Sequence, residues 1–216
     1  MIDTGSPSPA HDGLPGKAAP RIYLASASPR RHQLLKQIGV AHDVLDIPAP
    51  PGDDEPQWAG ESPQDYVIRT ARDKSIRALA WCIQGGLPAR PILTADTCVI
   101  LDDAVLHKPR DHDDAAAMLA RLSGRTHEVR TAVVVADSTR TLSDVAVTAV
   151  TFKTLNQNEI ERYCASDEPM GKAGAYGIQG LGGTLIVRIE GSYTGVMGLP
   201  IYETASLLQQ FGLTLP

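Results

Sequence analysis

Only three cysteines occur in 216 residues, and Cys82, Cys98 and Cys164 are odd in number, far apart and never in a C-x-x-C pair. That pattern excludes a disulfide framework and a structural zinc site, and leaves three buried or semi-buried thiols. No apolar run approaches the roughly 18 residues that a membrane span requires, and the first residues lack the basic-then-apolar layout of a secretory signal. No membrane partner is therefore expected, and the cytoplasm is the default compartment. Basic charge is scarce as well: 20 Lys and Arg against 25 Asp and Glu give a net charge of −5, which argues against a broad nucleic-acid-binding surface. Internal repeats, a Walker A loop and a Rossmann fingerprint are all absent. What remains, 43% hydrophobic and 21% charged residues, suits a globular chain long enough for one domain or for two small lobes around a cleft.

Met1 to Pro20 is rich in Gly, Pro, Ser and Asp without apolar periodicity, and is expected to be a disordered leader. Beyond it, Arg21 to Ala25 reads as a strand. Ser28 then suits an N-cap, Pro29 the first helical position and Gly39 the helix end, so a strand feeds a helix through a small-residue loop. Ala41 to Ile47 reads as a second strand, followed by a proline-rich loop. Ser62-Pro63-Gln64-Asp65 opens a long helix to about Ile83. Pro91 to Leu101 and Ala104 to His107 form a hairpin around Asp102-Asp103, Ala115 to Leu122 a helix, and Val129 to Ala136 with Ser143 to Phe152 an antiparallel pair. A short helix at Asn156 to Ala165, a Gly-dense loop from Gly171 to Gly183, a strand at Thr184 to Ile189 and a last helix from Leu199 to about Phe211 complete the chain.

Three features do not fit a purely structural chain. Arg30 and Arg31 occupy the first turn of a helix, where free backbone N–H groups make a cation unfavourable by roughly 0.3–1 kcal/mol. They either grip an anion with Ser26 and Ser28 or lie on a solvated face. Lys74 falls on the apolar stripe of Val67, Ala71 and Ala78, and either snorkels outward or points into a polar cleft. Asp96 is embedded in an otherwise apolar strand, so a cation, a metal or a water-filled cleft must meet it. The hairpin register extrapolates to Thr97 opposite Lys108, which sets Asp96 beside Lys108. Asp53, Asp54 and Glu55 are either a solvated run or metal-binding acids, since Mg²⁺ prefers carboxylate oxygens. Glycines 171 to 183 either let a ligand approach the backbone or serve awkward turns.

In combination, Ser26-Ala27-Ser28-Pro29-Arg30-Arg31, Ala95-Asp96-Thr97, Lys108-Pro109-Arg110, Leu122-Ser123-Gly124, Lys172-Ala173-Gly174-Ala175-Tyr176-Gly177-Ile178-Gln179-Gly180 and Gly198-Leu199-Pro200 resemble the Maf family of nucleoside triphosphate pyrophosphatases. The resemblance runs from about Ile22 to Phe211. It implies a Maf/inosine-triphosphatase-like α/β fold, a mixed elongated sheet flanked by helices with a deep cleft between two lobes. It also implies one catalytic domain over residues 21–216 and a homodimer. The activity it implies is hydrolysis of a nucleoside triphosphate to the monophosphate and pyrophosphate with a divalent cation, Mg²⁺ or Mn²⁺. Carried over, Asp96 is the general base, Arg31, Lys74 and Lys108 hold phosphates, Arg30, Thr97 and Gln179 choose the base, and Glu55 with Asp96 binds the metal. Pro29-Arg30-Arg31, Asp96-Thr97 and Ala175-Tyr176-Gly177-Ile178-Gln179 are similar to the branch that prefers dTTP and UTP, not the one that prefers 7-methyl-GTP. The chain departs from the family pattern in placing Asp54-Glu55 in a slightly longer, proline-rich loop. The rival expectation is a nucleotide-sensing or septum-regulating binding protein without significant turnover.

Overall fold

The computed structural model describes residues 21–50 and 55–215. The expected leader and the acids Asp53 and Asp54 lie outside the described residues. Strand β1 (Ile22–Leu24) is wholly buried and passes through Ala25–Ser28 into helix α1 (Pro29–Gln37). Ser28 is extended, Pro29 supplies a preset helical φ, and Gly39 at φ +71° turns the chain away. Strand β2 (His42–Val44) runs parallel to β1. Helix α2 (Pro63–Gln84) is capped by the Ser62 side chain, which accepts the Asp65 N–H. Its buried residues, among them Val67, Ala71, Ala78 and Cys82, recur at helical spacing and face the sheet.

Strand β3 (Ile92–Leu101) is the spine. Asp102 and Asp103, both left-handed with φ 53° and 60°, make the mirror-image turn that matches strand twist and lead into β4 (Ala104–Leu106). Helix α3 (His112–Leu122), long strands β5 (Thr126–Ala136) and β6 (Thr141–Phe152), helix α4 (Gln157–Cys164) and strand β7 (Ile186–Glu190) follow. Helices α5 (Tyr193–Met197) and α6 (Ile201–Gln210) close the chain. The strands form one seven-stranded mixed sheet in the order β2-β1-β3-β5-β6-β7, with β4 paired to β3. Pairing is parallel among β1, β2 and β3 and antiparallel elsewhere.

Alternation along β3 divides the interior. Leu93 and Ala95 pack with Leu24, Leu34, Leu35 and Leu208, whereas Cys98 and Ile100 pack with Val67 and Ala71 of α2 on the opposite face. Val99 and Leu101 belong to a further cluster with Leu119, Phe152 and Tyr176. One edge of β3 is paired without interruption to β5, from Ile92↔Ala136 to Ile100↔Glu128. On the other edge, pairing to β1 stops at Leu24↔Leu93 and pairing to β4 begins only at Val99↔Leu106. Among the described residues, no strand covers Thr94 to Cys98 on that edge. The sheet therefore has a notch, and Asp96 and Thr97 stand in it on opposite faces.

Candidate active site

Asp96 points toward α2, as do Thr94, whose hydroxyl donates to the Ala71 carbonyl at 2.9 Å, and Cys98. Only 4% of Asp96 is exposed, and burying a carboxylate is costly unless a cation meets it. Lys74 is that cation: its Nζ lies 2.8 Å from Asp96 Oδ1 and also pairs with Glu55. Thus the lysine on the apolar stripe turns into the notch and does not snorkel outward. The expected neighbour Lys108 is instead an exposed residue. The ladder stops at Leu106 because the next carbonyl, that of His107, accepts the Gly174 N–H at 3.2 Å and Pro109 favours a departing chain.

Glu55 arrives on a loop that α2 clamps from below. Tyr66 donates its hydroxyl to the Glu55 carbonyl at 3.1 Å. The Arg69 guanidinium binds both carboxylate oxygens of Glu61, at 2.6 and 2.8 Å, donates to the Pro56 carbonyl at 2.7 Å and lies 4.1 Å over the Trp58 ring. Burial acts to raise the Glu55 pKa, but the Lys74 charge and hydrogen bond, helped by Lys108 and Arg31, outweigh it and hold the carboxyl below its ordinary value. Sequence reasoning missed Arg69. Its signal was a cation one turn beyond Tyr66 with an acid, Glu61, just ahead of the helix.

On the other face, Arg31 Nε donates to the Gly198 carbonyl at 2.8 Å, while Nη1 donates to Ser26 Oγ at 3.1 Å and Nη2 to Thr97 Oγ1 at 3.4 Å. Arg30 Nε donates to the Met197 carbonyl at 3.2 Å. The two arginines that are misplaced at the start of α1 thus satisfy carbonyls at the C-terminal end of α5, where cations are favourable. This geometry excludes the solvated-face reading. Thr131 gives its proton to the Gly195 carbonyl at 2.8 Å, so Thr97, 2.9 Å away, donates to Thr131 and accepts from Arg31. Burial lowers the Arg31 pKa from its usual value, and Asp96 and Glu55 oppose that fall. Three of its five N–H donors serve the protein, which leaves others for a ligand.

Two cavities meet at the notch. The first, of about 420 Å³, is lined by Ser26, Ala27, Ser28, Arg31, Lys74 and Arg77, with Val44 to Ala49 as the facing wall. The second, of about 430 Å³, is lined by Tyr66, Thr97, Cys98, His107, Arg110 and Ala173. Glu55 and Lys108 line both. The structure thereby brings together Arg31, Glu55, Lys74, Asp96, Thr97 and Lys108. Asp96 lines neither cavity itself and is joined to them through Lys74. Arg30 and Gln179 also line neither, and Gln179 is exposed on the Gly-dense loop.

Within that loop, Gly174 and Gly180 are required by packing against the protein itself. A Cβ on Gly174 (φ +67°) would lie 2.8 Å from Val99, and one on Gly180 would lie 2.2 Å from the Glu168 carboxylate. Glu168 accepts the N–H groups of Leu181 and Gly182 at 2.9 and 2.8 Å and the Tyr163 hydroxyl at 2.9 Å. Tyr176 is anchored through its hydroxyl, 2.8 Å from Nε2 of the buried His127. All three cysteines are buried free thiols, and burial, with Asp96 nearby, pushes Cys98 up to about 12.

Among the described residues, no group of three or more His, Cys, Asp or Glu side chains could hold a metal. The carboxylates of Glu55 and Asp96, converging on one ammonium, suit a hard cation that takes its remaining ligands from water and phosphate.

The profile of the family described as Maf-like protein matches residues 21–211. A protein of Bordetella avium (strain 197N) named dTTP/UTP pyrophosphatase is 61% identical over 197 residues, spanning 91% of this chain and 98% of its own. Proteins of the same name are 52% identical in Cupriavidus metallidurans (89% and 97% covered) and 48% identical in Burkholderia pseudomallei (91% and 97% covered).

Proposed function

The chain belongs to the Maf family, and on that premise we propose that it hydrolyses dTTP and UTP to the monophosphate and pyrophosphate. The observation that carries this reading is the buried Asp96 carboxylate, held by Lys74 in a notch whose walls also carry Arg31 and Lys108. A site that only bound phosphates would have little use for an anion at that point. In the proposed reaction, Asp96 accepts a proton from water as its oxygen attacks the α-phosphorus. The bond from that phosphorus to the bridging oxygen breaks, and pyrophosphate leaves with the electron pair. Lys74, Lys108 and Arg31 hold the phosphates and balance the charge that develops on the leaving group. A divalent cation on Glu55 and Asp96, Mg²⁺ or Mn²⁺, would supply further charge neutralisation there.

The nucleoside is assigned to the second cavity, where Thr97 and the edge-to-face pair of Tyr66 and His107, 5.8 Å between centroids, are among the lining residues. Arg30 steadies the neighbouring α5 end, and Gln179, exposed on the Gly171 to Gly183 loop and outside both cavities, is assigned to the base on the family resemblance alone. A glutamine amide both donates and accepts, which suits the O4, N3–H and O2 edge of uracil and thymine. We assign the catalytic work to one domain of two lobes over residues 21–216, acting in the cytoplasm as a homodimer. Exposed Ile76 and Ile83, seven residues apart on α2, offer an apolar stripe for a second copy. No helix among the described residues is long and apolar enough to cross a membrane.

Pyrophosphate release from dTTP, UTP, CTP, dATP, dGTP and 7-methyl-GTP, with and without Mg²⁺, tests the reading. dTTP and UTP should lead, CTP should leak, and Gln179→Ala should narrow the gap. A purine preference would overturn the substrate assignment, and no release from any triphosphate would favour a nucleotide-binding protein.

A further inference from the structure

We propose that His32 and His42 form a binding site for a transition-metal ion of the Zn²⁺ type, which joins helix α1 to strand β2 and is separate from the carboxylates of Glu55 and Asp96. Neither histidine lines either cavity. His32 is the fourth residue of α1 and His42 the first of β2. The turn between them is fixed: Gly39 takes φ +71°, the Val40 N–H donates to the Leu35 carbonyl at 3.0 Å, and His42 pairs in register with Ile22 of β1. Two half-buried imidazoles from different elements are thereby set edge to face, with Nδ1 of His32 2.6 Å from Nε2 of His42.

The far side of His42 decides the chemistry. Its Nδ1 lies 2.7 Å from the Val40 carbonyl, which can only accept, so in the neutral ring the proton sits on Nδ1 and the Nε2 lone pair faces His32. A backbone carbonyl behind the ring is the usual support of a metal-bound histidine, because it fixes tautomer and orientation. The two facing nitrogens share one proton, and the metal ion takes its place. His32 then carries its proton on Nε2 instead of Nδ1, so the neutral rings neither gain nor lose one. Tetrahedral ligation at about 2.0–2.1 Å needs the nitrogens about 3.3 Å apart, a parting of less than about 1 Å that the broad χ2 torsion of histidine allows. Imidazole suits Zn²⁺, Cu²⁺ or Ni²⁺, whereas Mg²⁺ asks for oxygen, and the neighbouring acid Asp43 is taken by Arg21 and Arg90. Burial, with Lys36 and His42, lowers the His32 pKa from its usual value, which favours the neutral ring that a ligand must be. Water completes the coordination.

The test titrates Zn²⁺ into the native protein, His32→Gln and His42→Gln by calorimetry, with Mg²⁺ held in excess so that the carboxylates are already served. The native protein should bind one equivalent that each variant binds at least about tenfold more weakly, as expected when one of two ligands is lost. Ring ¹⁵N spectra of the native protein give a second reading that needs no variant. Zn²⁺ should move Nδ1 of His32 and Nε2 of His42 and leave the buried His127 ring in place. Native stoichiometry and affinity in both variants, or shifts confined to other histidines, would overturn the site. Weakening in only one variant would show a single-histidine contact and overturn the chelate. Neither measurement uses turnover, so the hydrolase reading stands or falls separately.

Discussion

Lys74 and Asp96, 22 residues apart in sequence, meet at 2.8 Å across the space between α2 and β3, and the same ammonium also holds Glu55. One cation therefore neutralises two carboxylates at the junction of two cavities. Loss of Lys74 leaves those carboxylates facing each other at a largely buried position, and breaking such a pair from one side costs about 3 kcal/mol. Lys74→Met should accordingly destabilise the protein more than Lys74→Met combined with Asp96→Asn. Urea midpoints of the four members of the cycle measure the coupling. Additive losses would mean that the pair carries no linked energy.

Asp96→Asn changes one atom and little volume. It should keep the fold and nucleotide affinity while kcat falls by about 10²-fold or more, as expected for a lost general base. Single-turnover rates with dTTP, alongside circular dichroism, separate chemistry from structure. A native kcat would remove Asp96 from the reaction.

Arg69 lines neither cavity, yet its clamp on Glu61, Pro56 and Trp58 holds the loop that delivers Glu55. Arg69→Ala should cost about 2 kcal/mol through its lost charged hydrogen bonds. It should also raise the Mg²⁺ concentration needed for half-maximal turnover, with the order of preferred triphosphates unchanged. An altered base preference would show that the loop does something other than place Glu55.

His127 is 3% exposed, and burial pulls its pKa down from 6.5 to about 4. Because the folded value lies below the unfolded one, the stability gained from the neutral ring is complete above pH 6.5. It drains away as pH falls toward 4, by about 3 kcal/mol in all. His127→Gln keeps a partner for the Tyr176 hydroxyl and cannot titrate, so its stability should vary less over that window. Urea denaturation at pH 7, 5.5 and 4.5 checks this, and parallel curves for the two proteins would exclude His127 as the titrating group.

The elements legible in the sequence were those with local signals. Ser62-Pro63 and Asp65 announced α2, Ser28-Pro29 announced α1, and the Asp102-Asp103 turn fixed the β3–β4 register. Helix α5 left no such trace, because five residues containing Gly195 are too few to show periodicity. Helical phase placed Lys74 on the inner face, but what it would meet there depended on β3 arriving opposite. The Asp96–Lys108 expectation extended a real ladder past its end, since the pull of Gly174 on the His107 carbonyl is a contact across 67 residues. The arginines at the start of α1 looked anomalous for the same reason: the carbonyls they satisfy belong to residues 197 and 198.

The gap in the sheet beside Thr94 to Cys98 has a cost for colloidal behaviour. An unpaired strand edge invites another polypeptide to add to it, but this one lies in the middle of the fold, and Thr94, Ala95, Asp96 and Cys98 along it are at most 4% exposed. Its length is capped by β1 and β4, and Arg31, Lys74 and Asp96 line its approaches with charge, the same device by which exposed edges resist aggregation. The side chains assigned to phosphate thus also act as gatekeepers against self-association. A variant with all three made neutral should scatter light at concentrations where the native chain stays dispersed, whereas equal scattering would show that the short gap protects itself.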